Sequence, residues 1–267
     1  MTPIRFLLPL LLVVALEPIR AIRVAPVSPT ARIQYEFTFG NISDAGYFQF
    51  EDYIGDDYAL SILSLASEFV LKTFNQKVGE GKGYVEVILS YESFAGEGIG
   101  SYPLAVASTI GNKIHLNSDY MLHYSDDIRA EFDGILYHES THVWQWNGNG
   151  MAPSGLITGI ADYMRLKAGW PSKSWPKRGL GLQWDEGYAI TAYFLEYCDG
   201  LRNGFVADLN AMMKYTYSDS FFMQLLRKNV YELWNDYKSA YASDAPAPAP
   251  TAALALSPTA APPYPTY

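Results

Sequence analysis

The chain has 267 residues, 49% of them hydrophobic and 15% aromatic, which is enough apolar side chain to bury a full core and too much for a disordered protein. Its net charge of −9, from 19 basic and 28 acidic residues, argues against nucleic-acid or anionic-membrane partners. Cys198 is the single cysteine, so no disulfide can form within the chain. In its apolar-aromatic stretch it reads as a buried, inert thiol.

At the N-terminus, Arg5 precedes an unbroken apolar run from Phe6 to Leu16, too short to span a bilayer. With Ala21 as its last residue, 1–21 reads as a secretory signal peptide. No other segment is apolar and long enough to cross a membrane, so the expected location is secreted, extracellular or in a cell wall. Residues 22–32, rich in Pro and Val, read as a flexible lead-in, and 33–242 as one domain acting as a monomer. Asn41-Ile42-Ser43 is a sequon that a secreted eukaryotic chain would glycosylate.

Ile33 to Phe39 alternates apolar and polar residues, the pattern of a half-buried strand. Asp57 to Gln76 carries apolar residues at helical spacing, and Tyr84 to Tyr91 alternates again through Val85, Val87 and Leu89. A Gly-rich bend (Gly96, Gly98, Gly100) leads to two strands, Leu104 to Thr109 and Lys113 to Leu116, joined through Gly111-Asn112. The first of these is the expected edge strand beside which a substrate would lie.

The next helix carries the chemistry. Residues 127–142 have an amphipathic spacing, with Ser125 or Asp126 as expected N-cap and Asn147-Gly148 as the stop. Within it stands His138-Glu139-Ser140-Thr141-His142. Four residues are about 400° of helix, so both imidazoles share a face one turn apart and can point at one metal ion. Glu139 lies about 100° round, close enough to hold a water and accept its proton. Zinc peptidases use this arrangement, and a catalytic zinc takes three protein ligands.

The third ligand has to come from elsewhere. In the following helix, Gly155 to Ala168, Thr158, Asp162 and Arg165 share a polar face opposite Leu156, Ile160 and Met164. Further helices are expected over Asp185 to Tyr197, Gly204 to Tyr215, Ser220 to Asn229 and Tyr231 to Tyr241. Residues 243–267, Pro- and Ala-rich, read as a disordered tail.

Tyr137-His-Glu-Ser-Thr-His-Val-Trp-Gln-Trp-Asn-Gly-Asn-Gly150 and Gly155-Leu-Ile-Thr-Gly-Ile-Ala-Asp-Tyr-Met-Arg-Leu-Lys-Ala-Gly169 resemble the plant basic secretory protein family. The block from Trp184 through Tyr188 to Val206 continues the likeness, which runs from about Ile33 to Tyr241. The resemblance implies a secreted α+β protein of zincin-like fold that hydrolyses peptides or proteins with Zn2+ and is associated with defence. Two departures stand out. This chain is acidic where the family is named for basic charge, which bears on partners rather than chemistry. The family's Leu-Ile-Glu-Gly-Ile-Ala-Asp carries Thr158 here in place of its Glu, and that Glu resembles a zinc ligand, with the Asp one turn later as partner of a ligating His.

Three outcomes stay open. Asp162 ligates the metal directly; Asp185 or Glu186 supplies the carboxylate; or the site binds metal weakly or not at all, leaving a secreted defence or cell-wall binding protein. The expected set is His138, His142 and Asp162 for the metal, with Glu139 as general base. Tyr188, with Tyr163 beside it, is the candidate donor to the oxyanion. His115, on a strand, and His123, in a loop, read as structural, while Trp144, Gln145, Trp146 and Asn147 read as packing that fixes the motif helix.

Overall fold

The computed structural model describes residues 23–24, 33–77, 81–95 and 105–242. The expected signal peptide, most of the lead-in, the Gly-rich bend and the Pro/Ala-rich tail lie outside them. Two residues of the lead-in stretch form a strand, β1 (Arg23–Val24), paired antiparallel with Phe37 and Glu36.

The architecture is mixed α+β. The sheet runs β1-β2-β3-β5-β4. Its centre is parallel: β2 (Gln34–Phe39), β3 (Glu86–Glu92) and β5 (Lys113–Asn117). The last strand, β4 (Ala107–Ile110), is antiparallel to β5 and forms the edge of the described sheet, as expected for this segment. Ile110 pairs with Lys113 across Gly111-Asn112, and Gly111 takes the positive φ of 64° that a tight hairpin needs at its first loop residue. The expected strand start at Leu104 lies outside the described residues.

Register puts one apolar set on one face. Tyr35, Phe37, Val87, Leu89, Tyr91, Ala107, Ile114 and Leu116 are all buried there. Over this face lie α2 (Asp56–Thr73), against β2, and α4 (Ile128–Trp144), against β4 and β5, packed on one another. The other face is polar, with His115 Nδ1 2.5 Å from Glu92 Oε1.

Two short helices stand where none was expected. In α1 (Asp44–Tyr53) the Ser43 hydroxyl accepts from the Gly46 amide, and Phe50 stacks on Phe37 with ring centroids 4.9 Å apart. In α3 (Ser118–His123) the Asn117 side chain caps the Asp119 amide, so His123 is helical rather than in a loop. Helix α1 buries only Gly46 and Phe50 and α3 is six residues long, so neither displays a clear apolar period; the caps were the readable signal.

The C-terminal half is helical: α5 (Ser154–Lys167), α6 (Tyr188–Leu201), α7 (Phe205–Met212), α8 (Ser220–Leu226) and α9 (Val230–Ala240). Its core is aromatic, with Phe194 touching Trp184, Phe222, Trp234 and Tyr237. Helix α6 begins three residues later than expected because Gly187, at φ 101°, breaks the preceding backbone. Helix α8 ends early because Arg227 turns left-handed at φ 61°. Among the described residues no helix is long and apolar enough to cross a membrane.

Helices α5 and α6 approach very closely. A Cβ on Gly155 would stand 1.7 Å from the Asp185 carbonyl oxygen, and one on Gly159 would stand 2.3 Å from Thr191 Cγ2. Two glycines one turn apart thus seat α5 between α4 and α6, with Leu156, Ile160 and Met164 fully buried.

Candidate active site

Helix α4 is capped by Asp127, whose carboxylate accepts from the Ala130 amide at 3.0 Å. The cap is neither Ser125 nor Asp126; the latter is held by Lys173 at 2.7 Å. From this start the helix turns His138, Glu139 and His142 inward, and burial covers its polar as well as its apolar residues.

The two imidazoles converge. His138 Nε2 and His142 Nε2 are 3.2 Å apart. On the opposite side of the His138 ring, Nδ1 lies 2.6 Å from Asp162 Oδ1, a buried contact. With its Nδ1 proton directed at that carboxylate, His138 presents the Nε2 lone pair toward His142. A proton or a cation has to lie between two nitrogens so placed. Two nitrogens bound at 2.0–2.1 Å to one tetrahedral zinc would stand about 3.3 Å apart. The pair therefore fits two adjacent ligand positions.

The electrostatics of the two rings differ. Burial and the neighbouring His138 push His142 well below the usual histidine range, which keeps it neutral and able to donate a lone pair. Burial opposes protonation of His138, but the Asp162 carboxylate outweighs it and raises its pKa. Glu139 is pushed up by burial, against the pull of His138 and of a hydrogen bond from Thr109.

That hydrogen bond was not legible in the sequence. Thr109 Oγ1 on edge strand β4 donates to Glu139 Oε2 at 2.6 Å, tying the carboxylate to the sheet edge. Lys82 was missed too: its Nζ donates to the His142 carbonyl at 3.3 Å, and burial lowers its pKa to about 8. Neither belongs to a motif, and both lie more than twenty residues before the histidines.

Tyr188 stands beside the pair, its ring nearly parallel to His138 with centroids 6.0 Å apart and planes 14° apart. It opens α6 in a left-handed conformation, φ 44°, which is strained for a tyrosine. Tyr163, the other candidate, is buried against Asp199 instead.

The expected carboxylates are placed as follows. Asp162 reaches His138 on the nitrogen remote from His142. Asp185 lies near Asp219, and exposed Glu186 accepts from the Leu182 amide at 2.6 Å. Among the described residues, no three His, Cys, Asp or Glu side chains converge so as to hold a metal ion. Thr158, Asp162 and Arg165 do share one face of α5, but it is a buried face: Arg165 Nη2 pairs with Glu131 Oε2 at 2.8 Å. Gln145 donates to the Ile157 carbonyl and the Trp146 amide donates to Asn210 Oδ1, so the residues after the motif anchor α4 in the core.

The site thus consists of a His-Glu-x-x-His helix in a mixed α+β domain, with its glutamate against a sheet edge. The chain belongs to the family described as "Peptidase of plants and bacteria", whose model matches residues 32–237. A relative named "Basic secretory protease", from Boswellia serrata, is 38% identical over 60 residues, which is 22% of this chain and 69% of the relative.

Proposed function

We propose that this chain is a secreted, zinc-dependent peptidase of zincin-like design, with Glu139 as general base. One observation carries the reading: a buried carboxylate, fixed by Thr109 at 2.6 Å, stands on the helix that brings two imidazole nitrogens to 3.2 Å. Nε2 of His138 and Nε2 of His142 would hold the zinc, which when bound supplies Lewis-acid polarisation to the reacting centre. Asp162 is better suited to orient His138 than to ligate, since the two nitrogens of an imidazole point away from each other.

In this scheme Glu139 takes a proton from the attacking water and returns it to the leaving amine. Its raised pKa suits it to both tasks. A peptide laid along β4, the edge of the described sheet, would pass beside it, and the hydroxyl of Tyr188, whose ring stands beside that of His138, would donate to the developing oxyanion. Secretion is supported by the name of the Boswellia relative and by the N-terminal pattern. Asn41 is exposed, so a glycan there would reach solvent.

The test is Glu139→Gln, which keeps size and hydrogen bonding but cannot take the proton. Turnover of an unstructured protein substrate is expected to fall about 10²- to 10⁴-fold with an unchanged melting curve. Equal turnover in wild type and variant would remove Glu139 from the chemistry. No turnover in either, with zinc present, would leave a binding protein built on a peptidase scaffold.

A further inference from the structure

The loop between α5 and α6 builds a groove that the peptidase reading does not use. Its volume is about 790 Å³, and Lys173, Trp175, Pro176, Lys177, Arg178 and Tyr193 are among its lining. That size lies within the range of about 300–1,000 Å³ typical of ligand sites. Trp175 meets buried Tyr193 edge to face, with ring centroids 5.7 Å apart and planes at 84°. Arg178 lies over the Tyr193 ring at 4.4 Å, and Arg165 approaches the Trp175 ring at 5.9 Å.

Backbone bonds tie this loop at several points. Arg165 Nε donates to the Trp170 carbonyl at 2.7 Å, the Trp175 amide to the Ser172 carbonyl at 3.1 Å, and the Gly179 amide to the Tyr237 hydroxyl at 2.8 Å. Pro171 and Pro176 restrict the chain between these points. A loop held in this way loses little freedom when a ligand arrives.

The charge of the groove is opposite to that of the chain. Its lining carries three cations, Lys173, Lys177 and Arg178, in a protein whose net charge is −9. Lys173 pairs with Asp126 and Arg178 with Glu196, each at 2.7 Å. Both pairs face solvent, where such contacts contribute little, so a ligand carboxylate can displace them. Lys177 is exposed beside them. The net charge repels acidic polypeptides in general, and the groove attracts them locally. Tyr193 stands five residues after Tyr188 on α6, about 7–8 Å along the helix axis from the ring beside His138. The groove therefore lies along the same helix as that ring and shares none of the residues placed at the imidazole pair.

We propose that this groove is an exosite for an acidic stretch of a protein substrate, remote from the bond to be cleaved. Substrate carboxylates would lie against Lys173, Lys177 and Arg178, and an apolar side chain in the angle between Trp175 and Tyr193. This deepens the peptidase reading and takes from it that the ligand is a polypeptide.

The test is the fluorescence anisotropy of a short labelled Glu-rich peptide, beside its Gln counterpart, with wild type and with Glu139→Gln. These two proteins should bind the Glu-rich probe equally, whatever becomes of the peptidase reading, and the Gln counterpart weakly. Lys173→Glu and Lys177→Glu should each weaken binding about tenfold, as should Trp175→Ala. Lys72→Glu, the same charge change at an exposed position of α2, should leave it within about twofold, because salt screens distant charges. In turnover, Lys177→Glu should raise KM for a substrate carrying a Glu-rich stretch and leave a neutral substrate unaffected. No binding of the Glu-rich peptide by wild type, or equal losses in Lys72→Glu and Lys177→Glu, would overturn the exosite while leaving the role of Glu139 intact. Binding of polygalacturonate in place of the peptide would also overturn it, since the groove would then serve an acidic polysaccharide. Should Trp175→Ala fail to fold, the two lysine reversals decide.

Discussion

Asp162 Oδ1 lies 2.6 Å from His138 Nδ1, a buried contact between neighbouring helices that leaves the other ring nitrogen facing His142 at 3.2 Å. One carboxylate thereby fixes both the tautomer and the tilt of an imidazole. Asp162→Asn is expected to weaken zinc binding by about 10- to 100-fold, the usual cost of losing such a partner, without unfolding the protein. Chelator competition measures this. A loss far beyond that range would make Asp162 itself a ligand.

Thr109 joins the sheet edge to the general base. Thr109→Val keeps the shape and removes the hydroxyl, so turnover should drop about tenfold and KM should change less. Steady-state kinetics with one peptide substrate would check it. Unaltered kcat would mean that Glu139 holds its position without the strand.

Close helix packing gives a pair of opposite expectations. Gly155→Ala drives a methyl against the Asp185 carbonyl oxygen, 1.7 Å away, and should cost about 3 kcal/mol. Gly200→Ala, in α6 with nothing within 4 Å, should stabilise by about 0.5–1 kcal/mol through helix propensity and unfolded-chain entropy. Urea unfolding of the two variants beside wild type tests both signs.

The Glu131–Arg165 pair is buried on both sides, and Glu131 also accepts from Tyr120 at 3.1 Å. Arg165→Met strands the carboxylate and should cost about 3–5 kcal/mol, whereas Glu131→Gln with Arg165→Met should recover more than half. A double-mutant cycle by chemical denaturation reads this directly.

Asp133 supplies a pH dependence remote from the histidines. Burial raises its pKa to about 6, although the Tyr58 hydroxyl donates to both carboxylate oxygens at 3.0 Å. The folded state therefore holds this proton more tightly than the unfolded chain, where the group titrates near its ordinary value of about 3.9. Its contribution is full below that value and is lost as pH rises through about 6. Asp133→Asn should be more stable than wild type at pH 7.5, by about 1–3 kcal/mol, and equal to it at pH 4. Melting curves at the two pH values decide, and a variant less stable at pH 7.5 would reverse the sign.

Much of this protein was determined by sequence alone, wherever the physics is local. Helical spacing put His138 and His142 on one face with Glu139 beside them, and alternation put Tyr35, Phe37, Val87 and Leu89 on one side of a sheet. The Gly111-Asn112 turn announced a hairpin ending at an edge. Such patterns are written by periods of 3.6 and 2, which need no knowledge of distant contacts. The partners of those residues were decided only by the tertiary structure. Nothing local says that Thr109 would meet Glu139, that Asp162 would take Nδ1 of His138 rather than stand beside Nε2, or that the polar stripe of α5 would be buried. The first follows from how α4 lies across the sheet edge, and the other two from how α5 seats between α4 and α6, where Gly155 and Gly159 permit the close approach on the α6 side. A carboxylate on the expected face can act as ligand or as orienting partner. Packing selects between them, because the nitrogen it reaches depends on separations of an ångström or two that no spacing rule encodes.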